Sequence, residues 1–170
     1  MKNFKEVTLN EKILKKLGYE DKNKIEVLHV PETYEFEEEI IKITKIGKKI
    51  FKNCENLKKI SLPNTIKEIE EKAFFNCKNL EEIIIPESVK IIGKASFCGC
   101  KSLQSVILKE GIEKIKGFAF ANCPSLKKIK YPDSLKNVKP SSFFEVEIEY
   151  ASPKSQEYFE NKNNDDDDED

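Results

Sequence analysis

The chain has no arginine and no tryptophan, one histidine, one methionine and only six glycines in 170 residues. Each shortage excludes something. All 30 basic residues are lysines, so the planar guanidinium fork that reads guanine edges or clamps phosphate is missing, and a nucleic-acid partner is not expected. A single histidine, His29, cannot assemble a catalytic or zinc-binding set by itself. The glycines form no phosphate-cradling loop. Adjacent carboxylates such as Glu81 and Glu82 point to different places along one strand rather than converging. No run of about 18 apolar residues occurs, so no membrane-spanning helix is expected. The first residues, Met1-Lys2-Asn3-Phe4-Lys5-Glu6, lack the apolar core of a secretory leader, and the final Asp167-Asp168-Glu169-Asp170 carries no lipidation motif. Enzymatic activity, cofactors and metals are therefore not expected.

What the chain does have is a period. Cys54, Cys77, Cys100 and Cys123 recur every 23 residues, and Phe74, Phe97, Phe120 and Phe143 keep the same interval. So do Leu57, Leu80, Leu103 and Leu126, then Ile60, Ile83, Val106 and Ile129, then Ile69, Ile92, Ile115 and Val138. A fixed period of this length predicts a solenoid, whose units bury their apolar faces only against their neighbours.

One unit reads directly into structure. Leu80 to Pro86 predicts a short strand with Ile83 and Ile85 inward, ended by a proline that has no N–H for the ladder. The same strand recurs at Leu57–Leu62, Leu103–Leu108 and Leu126–Tyr131. Stacking would set these strands side by side about 4.8 Å apart as a parallel sheet. A return segment anchored by Val89 and Ile92 follows, then a compact turn, Glu71–Cys77 in the unit before, expected to be helical. The residue before each phenylalanine is small (Ala73, Ser96, Ala119, Ser142), which leaves room for the ring to enter the core.

Ile46-Gly47-Lys48-Lys49-Ile50-Phe51-Lys52-Asn53-Cys54 and Ile92-Gly93-Lys94-Ala95-Ser96-Phe97-Cys98-Gly99-Cys100, with the preceding Leu-x-x-Ile-x-Leu-Pro strands, resemble the BspA-like leucine-rich-repeat family over about residues 40–150. The resemblance implies a leucine-rich-repeat solenoid (α/β, strand-rich), a parallel sheet of 23-residue repeats capped at both ends by short helices. It implies a binding scaffold without fixing the ligand, and since many relatives are surface proteins it leaves adhesion open.

The expected organisation is an N-terminal helical cap over 1–22, the solenoid over 23–150, a C-terminal helical cap over 151–161 and a disordered acidic tail over 162–170. Within the first cap, Asn10 suits an N-cap, Ile13, Leu14 and Leu17 form an apolar face, and Gly18 stops the helix. Residues 25–31 read as a degenerate first strand, and an insertion of nine residues sits around Glu32–Glu39. Val146, Ile148 and Tyr150 alternate as a last strand, and Pro153 starts the second helix. Residues 165–170 are all acidic, so the other 164 carry +5 while the whole chain carries −1. That run either confers solubility or contacts basic groups, including the lysines of 127–130.

The cysteine column is expected to hold buried thiols acting as small hydrophobes. A disulfide between neighbours is the competing reading, and a linear column does not converge on a metal. The better candidate is the solvent side of the sheet. Ile84 and Ile107 should lie next to each other there, with Lys59, Glu82, Lys128 and Lys130 as a rim. Two readings of that pair stand: a partner-binding patch, or β-propensity on a tolerant face. The function expected is a non-enzymatic protein–protein interaction module, an adaptor, scaffold or inhibitor, monomeric and partnered by another protein. A reducing cytoplasmic location, with the nucleus as a variant, follows from the cysteine usage. Cell-surface adhesion to a host or matrix protein or glycan is the alternative.

Overall fold

The computed structural model describes residues 4–164. In chain order its strands are β1 (Phe4–Leu9), β2 (Val27–His29), β3 (Thr33–Phe36), β4 (Glu39–Ile46), β5 (Lys59–Ser61), β6 (Glu68–Ile69), β7 (Glu82–Ile85), β8 (Ile91–Ile92), β9 (Ser105–Leu108), β10 (Lys114–Ile115), β11 (Lys128–Tyr131), β12 (Asn137–Val138) and β13 (Glu147–Tyr150). Helix α1 (Glu11–Lys16) follows β1, and α2 (Pro153–Asn164) follows β13.

Each coil rises through one strand, turns at a proline-rich corner, returns through a second strand and turns again around a phenylalanine. The rising strands pair in parallel as β2-β5-β7-β9, and β11-β13 form a separate two-stranded ladder packed beside β9. The return strands are only two residues long from β6 onward, yet they pair into one continuous ladder, β1-β4-β6-β8-β10-β12. The repeat pattern therefore builds parallel ladders on both sides of the core, where the sequence pointed to one parallel sheet opposed by short strands and turns. Inward residues of both are buried: Ile60, Ile83, Val106 and Ile129 on one side, Ile69, Ile92, Ile115 and Val138 on the other.

The phenylalanine turns close the core. Phe51, Phe74, Phe97, Phe120 and Phe143 stack at centroid separations of 5.2, 5.0, 5.3 and 5.9 Å with rings within 12° of parallel. Each fully buried ring contributes about 1.5–3 kcal/mol through removal of apolar surface from water. The helical conformation expected of these turns is not what forms, except for a short 3-10 segment at Pro140–Phe143. The reason lies in two left-handed positions per turn. Lys49, Lys72, Ala95 and Phe118 have φ of 52–61°, and Asn53, Asn76, Gly99 and Asn122 have φ of 56–80°. Those kinks aim alternate N–H groups along the solenoid axis. Phe51 N–H then donates to Ala73 at 2.8 Å, Phe74 to Ser96 at 2.8 Å and Phe97 to Ala119 at 2.9 Å. An α-helix would have spent those donors within its own coil.

Gly93 sits where no side chain fits, because a Cβ there would lie 2.6 Å from the backbone carbon of Glu70 in the preceding coil. At the start, the Asn10 side chain accepts from Ile13 N–H at 3.1 Å, and Gly18 leaves the helix at φ +91°. Ile13 and Leu14 are buried against the first coil. The first 22 residues are not purely helical: β1 extends the return sheet and pairs with β4. The expected nine-residue insertion is a hairpin in which β3 pairs antiparallel with β4 through Glu37 and Glu38, both at positive φ, the twist a two-residue hairpin turn requires. At the far end Phe159 of α2 packs on Tyr131 and Phe143, with ring centroids 5.4 and 6.2 Å away. The helix continues to Asn164, so residues 162–164 are helical rather than a disordered tail. Residues 165–170, the acidic run itself, lie outside the described residues.

Candidate functional site

The rising sheet presents every second residue to solvent, and the register fixes which residues meet. Lys59 is opposite Glu82, Glu82 opposite Ser105, and Ile84 opposite Ile107. Ile84 and Ile107 are 52% and 48% exposed, side by side on adjacent strands, while Ile83 and Ile85, on either side of Ile84 along β7, point into the core. Beside this pair, Lys59 and Glu82 bridge β5 and β7 at 3.4 Å. His29 continues the isoleucine row toward the N-terminus, its Nδ1 2.7 Å from Ser61 Oγ.

Lys128 and Lys130 lie on β11, one coil further on, in the ladder with β13. Lys128 bonds Glu149 at 2.8 Å, which holds the Glu149 carboxyl below its ordinary range and raises the lysine. The expected rim is thus two exposed ion pairs flanking two isoleucines, with Lys130 exposed and opposite Glu149. Exposed pairs of this kind are worth about 0.2–1 kcal/mol each, so they set local charge more than stability. Val27, on β2 opposite Lys59, is a further exposed apolar residue of this face. It escaped the sequence reading because β2 lies outside the regular 23-residue columns.

Other exposed apolar groups were not anticipated. Phe118 and Phe144, on the turn side, are 50% and 60% exposed. Each lies beside the buried phenylalanine column rather than in it. The signal was the second aromatic in Phe118-Ala119-Phe120 and Phe143-Phe144, which a search for one inward ring per repeat passes over.

The cysteines are placed by hydrogen bonding. The thiols of Cys77, Cys100 and Cys123 each donate to the carbonyl of the phenylalanine one coil earlier, Phe51, Phe74 and Phe97, at 3.1–3.2 Å. Burial raises all of these thiols, Cys54 and Cys123 to about 11 and Cys100 well above its ordinary value. Such groups are protonated at neutral pH and are neither nucleophiles nor ready metal ligands. Cys98, outside the column, is half-buried and raised by the same cause.

Two stacked parallel ladders, an interior row of rings and one open sheet face define a leucine-rich-repeat solenoid. The chain belongs to the BspA type leucine-rich repeat family, whose model matches six copies across residues 32–149. A solved leucine-rich repeat protein from Bacteroides ovatus is similar at 32% identity and TM-score 0.67, over 75% of this chain and 33% of that one. The T. pallidum leucine-rich repeat protein is similar at 25% identity and TM-score 0.66, over 72% of this chain and 57% of that one. A leucine-rich cell surface protein from Faecalibacterium prausnitzii shares the fold at 19% identity and TM-score 0.51, over 76% of this chain and 48% of that one. The chain thus spans about a third to just over half of these proteins. No curated protein matches it.

Proposed function

We propose that the chain is a non-enzymatic protein-interaction module that binds a partner protein through the exposed face of its rising sheet. Ile84 and Ile107 form the centre, and Lys59, Glu82, Lys128 and Lys130 the charged rim. The observation that carries this reading is the adjacency of two half-exposed isoleucines in paired strands of a rigid sheet. Aliphatic contact at the centre supplies affinity when water is excluded, and the flanking charges select orientation. The column thiols lie in the core rather than on this face, and His29 at its edge is hydrogen-bonded to Ser61, which supports a binding rather than a catalytic reading.

The test is a comparison of the chain with its Ile84→Ser/Ile107→Ser double variant as bait in an extract of the source organism. Proteins captured by the chain and lost from an equally folded variant support the reading; an unchanged set removes the sheet face from consideration. A second reading, adhesion at the cell surface, is favoured by the likeness to a solved cell surface protein of this fold. Cysteine usage favours a reducing cytoplasm instead. Cell fractionation with thiol labelling of intact protein separates them, since an extracellular pool or cystine bonds would move the assignment to adhesion.

A further inference from the structure

The return sheet also has an outward face, and over its first coils that face is hollowed. A groove of about 420 Å³ crosses β4, β6 and β8, within the range of roughly 300–1,000 Å³ usual for small-ligand sites. Four lysines line it, Lys42, Lys45, Lys67 and Lys90, against one acidic residue, Glu68. Lys67 and Lys90 are level with each other: Glu68 and Ile91 beside them are register partners, and the Lys90 N–H donates to the Lys67 carbonyl at 2.8 Å. Like charges side by side on paired strands are destabilising, so the stability of the fold does not account for them.

The ammonium groups are only partly used. Lys67 turns to the Glu6 carboxylate at 2.9 and 3.0 Å, and Lys90 to the Gly111 carbonyl at 2.9 Å and Glu113 at 3.6 Å. Lys45 bonds Glu68 at 2.8 Å. Lys42 forms no salt bridge among the described residues, although its charge helps hold the Glu6 carboxyl below its ordinary range. An ammonium carries three N–H donors, so every one of these lysines keeps a donor for a ligand. Acceptors alternate with them. The hydroxyl protons of Thr65 and Ser88 are committed to carbonyls of the preceding coil, Ile43 at 2.7 Å and Ile66 at 2.8 Å, so both oxygens are left to accept. Ile91, half-buried between its register partners Glu68 and Lys114, adds an apolar surface. A bare inorganic anion would use the lysines and leave the acceptors and the isoleucine without a role. An acidic peptide brings carboxylates but few hydroxyl donors. A sugar ring bearing a carboxylate or sulfate uses all three through its charge, its hydroxyls and its C–H face.

We propose that this groove of the return sheet binds an acidic saccharide. Lys42, Lys67 and Lys90 meet its anionic groups, Thr65 and Ser88 accept from its ring hydroxyls, and Ile91 lies under a C–H face of the ring. The groove is across the core from Ile84 and Ile107, so this site is independent of the protein-binding reading and both faces can be occupied at once.

NMR titration of the isotope-labelled full chain tests this at an ionic strength of about 0.01 M, where the screening length is about 30 Å. The probes are a uronic-acid tetrasaccharide, a sulfated tetrasaccharide of the heparin type, neutral maltotetraose, sodium sulfate and a tetraglutamate peptide. Saturable amide shifts centred on Thr65, Ser88 and Ile91 are expected with one or both acidic sugars, and the tighter binder identifies the anionic group as carboxylate or sulfate. Lys42→Gln/Lys90→Gln should weaken that binding at least about threefold, because two exposed charge contacts are lost. Lys12→Gln/Lys154→Gln, which removes the same charge from the two end helices, should not. The proposal is overturned if neither acidic sugar shifts these amides, or if both lysine variants bind alike. Binding of maltotetraose, sulfate or tetraglutamate as tight as that of the acidic sugars overturns it equally.

Discussion

Removing one ring from the middle of the phenylalanine row should cost more than any exposed aromatic and should uncouple the two halves of the solenoid. Phe97 is fully buried and stacked 5.0 Å from Phe74 and 5.3 Å from Phe120. Phe97→Ala removes its transfer free energy and leaves a cavity lined by two rings whose backbones are pinned by inter-coil hydrogen bonds. Collapse is therefore limited, and the expected loss is about 3–5 kcal/mol. A domain of this size holds about 5–15 kcal/mol in total, so the variant should remain folded but with much of its margin gone. Because each coil touches only its neighbours, weakening the central interface should also lower the apparent m-value as the halves begin to unfold separately. Urea titration followed by far-UV circular dichroism and by fluorescence of the five tyrosines reads both effects. Phe118→Ala, at a half-exposed ring, is the control and should fall within about 0.5 kcal/mol of the parent. A loss below about 1 kcal/mol for Phe97→Ala, or one no larger than the control, would show that the ring row does not carry the core.

Phe118 holds a left-handed backbone at φ 61°, which costs a non-glycine residue about 1–2 kcal/mol; Phe118→Gly is expected to raise stability by about 0.5–1 kcal/mol in the same titration, and a loss would refute the strain. Gly93→Ala should destabilise by about 1–3 kcal/mol, because its Cβ meets the Glu70 backbone, which cannot move without shifting the preceding coil. In the native protein a thiol reagent should label Cys98 first, with Cys77 and Cys100 reacting only on unfolding; since burial raises the Cys98 thiol above its ordinary value near 9, labelling should keep accelerating as pH rises past 9, and a plateau below pH 8 would contradict that environment. Cys54 and Cys123 are raised to about 11 by burial. Their stabilising contribution is complete below pH 9 and lost between about 9 and 11, so the parent should lose thermal stability across that window faster than a Cys54→Ser/Cys123→Ser variant.

The inward columns were legible because burial leaves few choices: most positions facing two neighbouring coils hold Leu, Ile, Val, Phe or Cys, and the position before each ring is Ala or Ser from Ala73 to Ser142. The outward pair Ile84 and Ile107 followed from the same alternation. The turn conformation was not legible in that way. Lys-Ala-Phe-Phe-Asn has good helix formers, and its departure from a helix depends on inter-coil hydrogen bonds that no local propensity contains. The asparagines at positions 53, 76 and 122 were the available clue, since Asn tolerates left-handed φ. The hairpin at Glu37 and Glu38 gave no warning, because neither is a usual residue for a turn with two positive φ values. Phe118 and Phe144 were hidden by their neighbours in the core column. The partner-binding role proposed for the sheet face lies beyond alternation altogether, since an exposed isoleucine and a binding isoleucine look the same in a sequence.

The backbone bonds that run from each phenylalanine turn into the next coil, together with the two ladders, lace the molecule on three sides at one fixed pitch. Growth and loss are therefore quantised. Excising one whole period from the middle rejoins matching rungs and yields a shorter rod with the same cross-section, whereas extra residues are accommodated only where they loop out between rungs, as the β3–β4 hairpin does between β2 and β5. The architecture lengthens like a ruler, in whole divisions, and its exposed face can be extended without being redesigned.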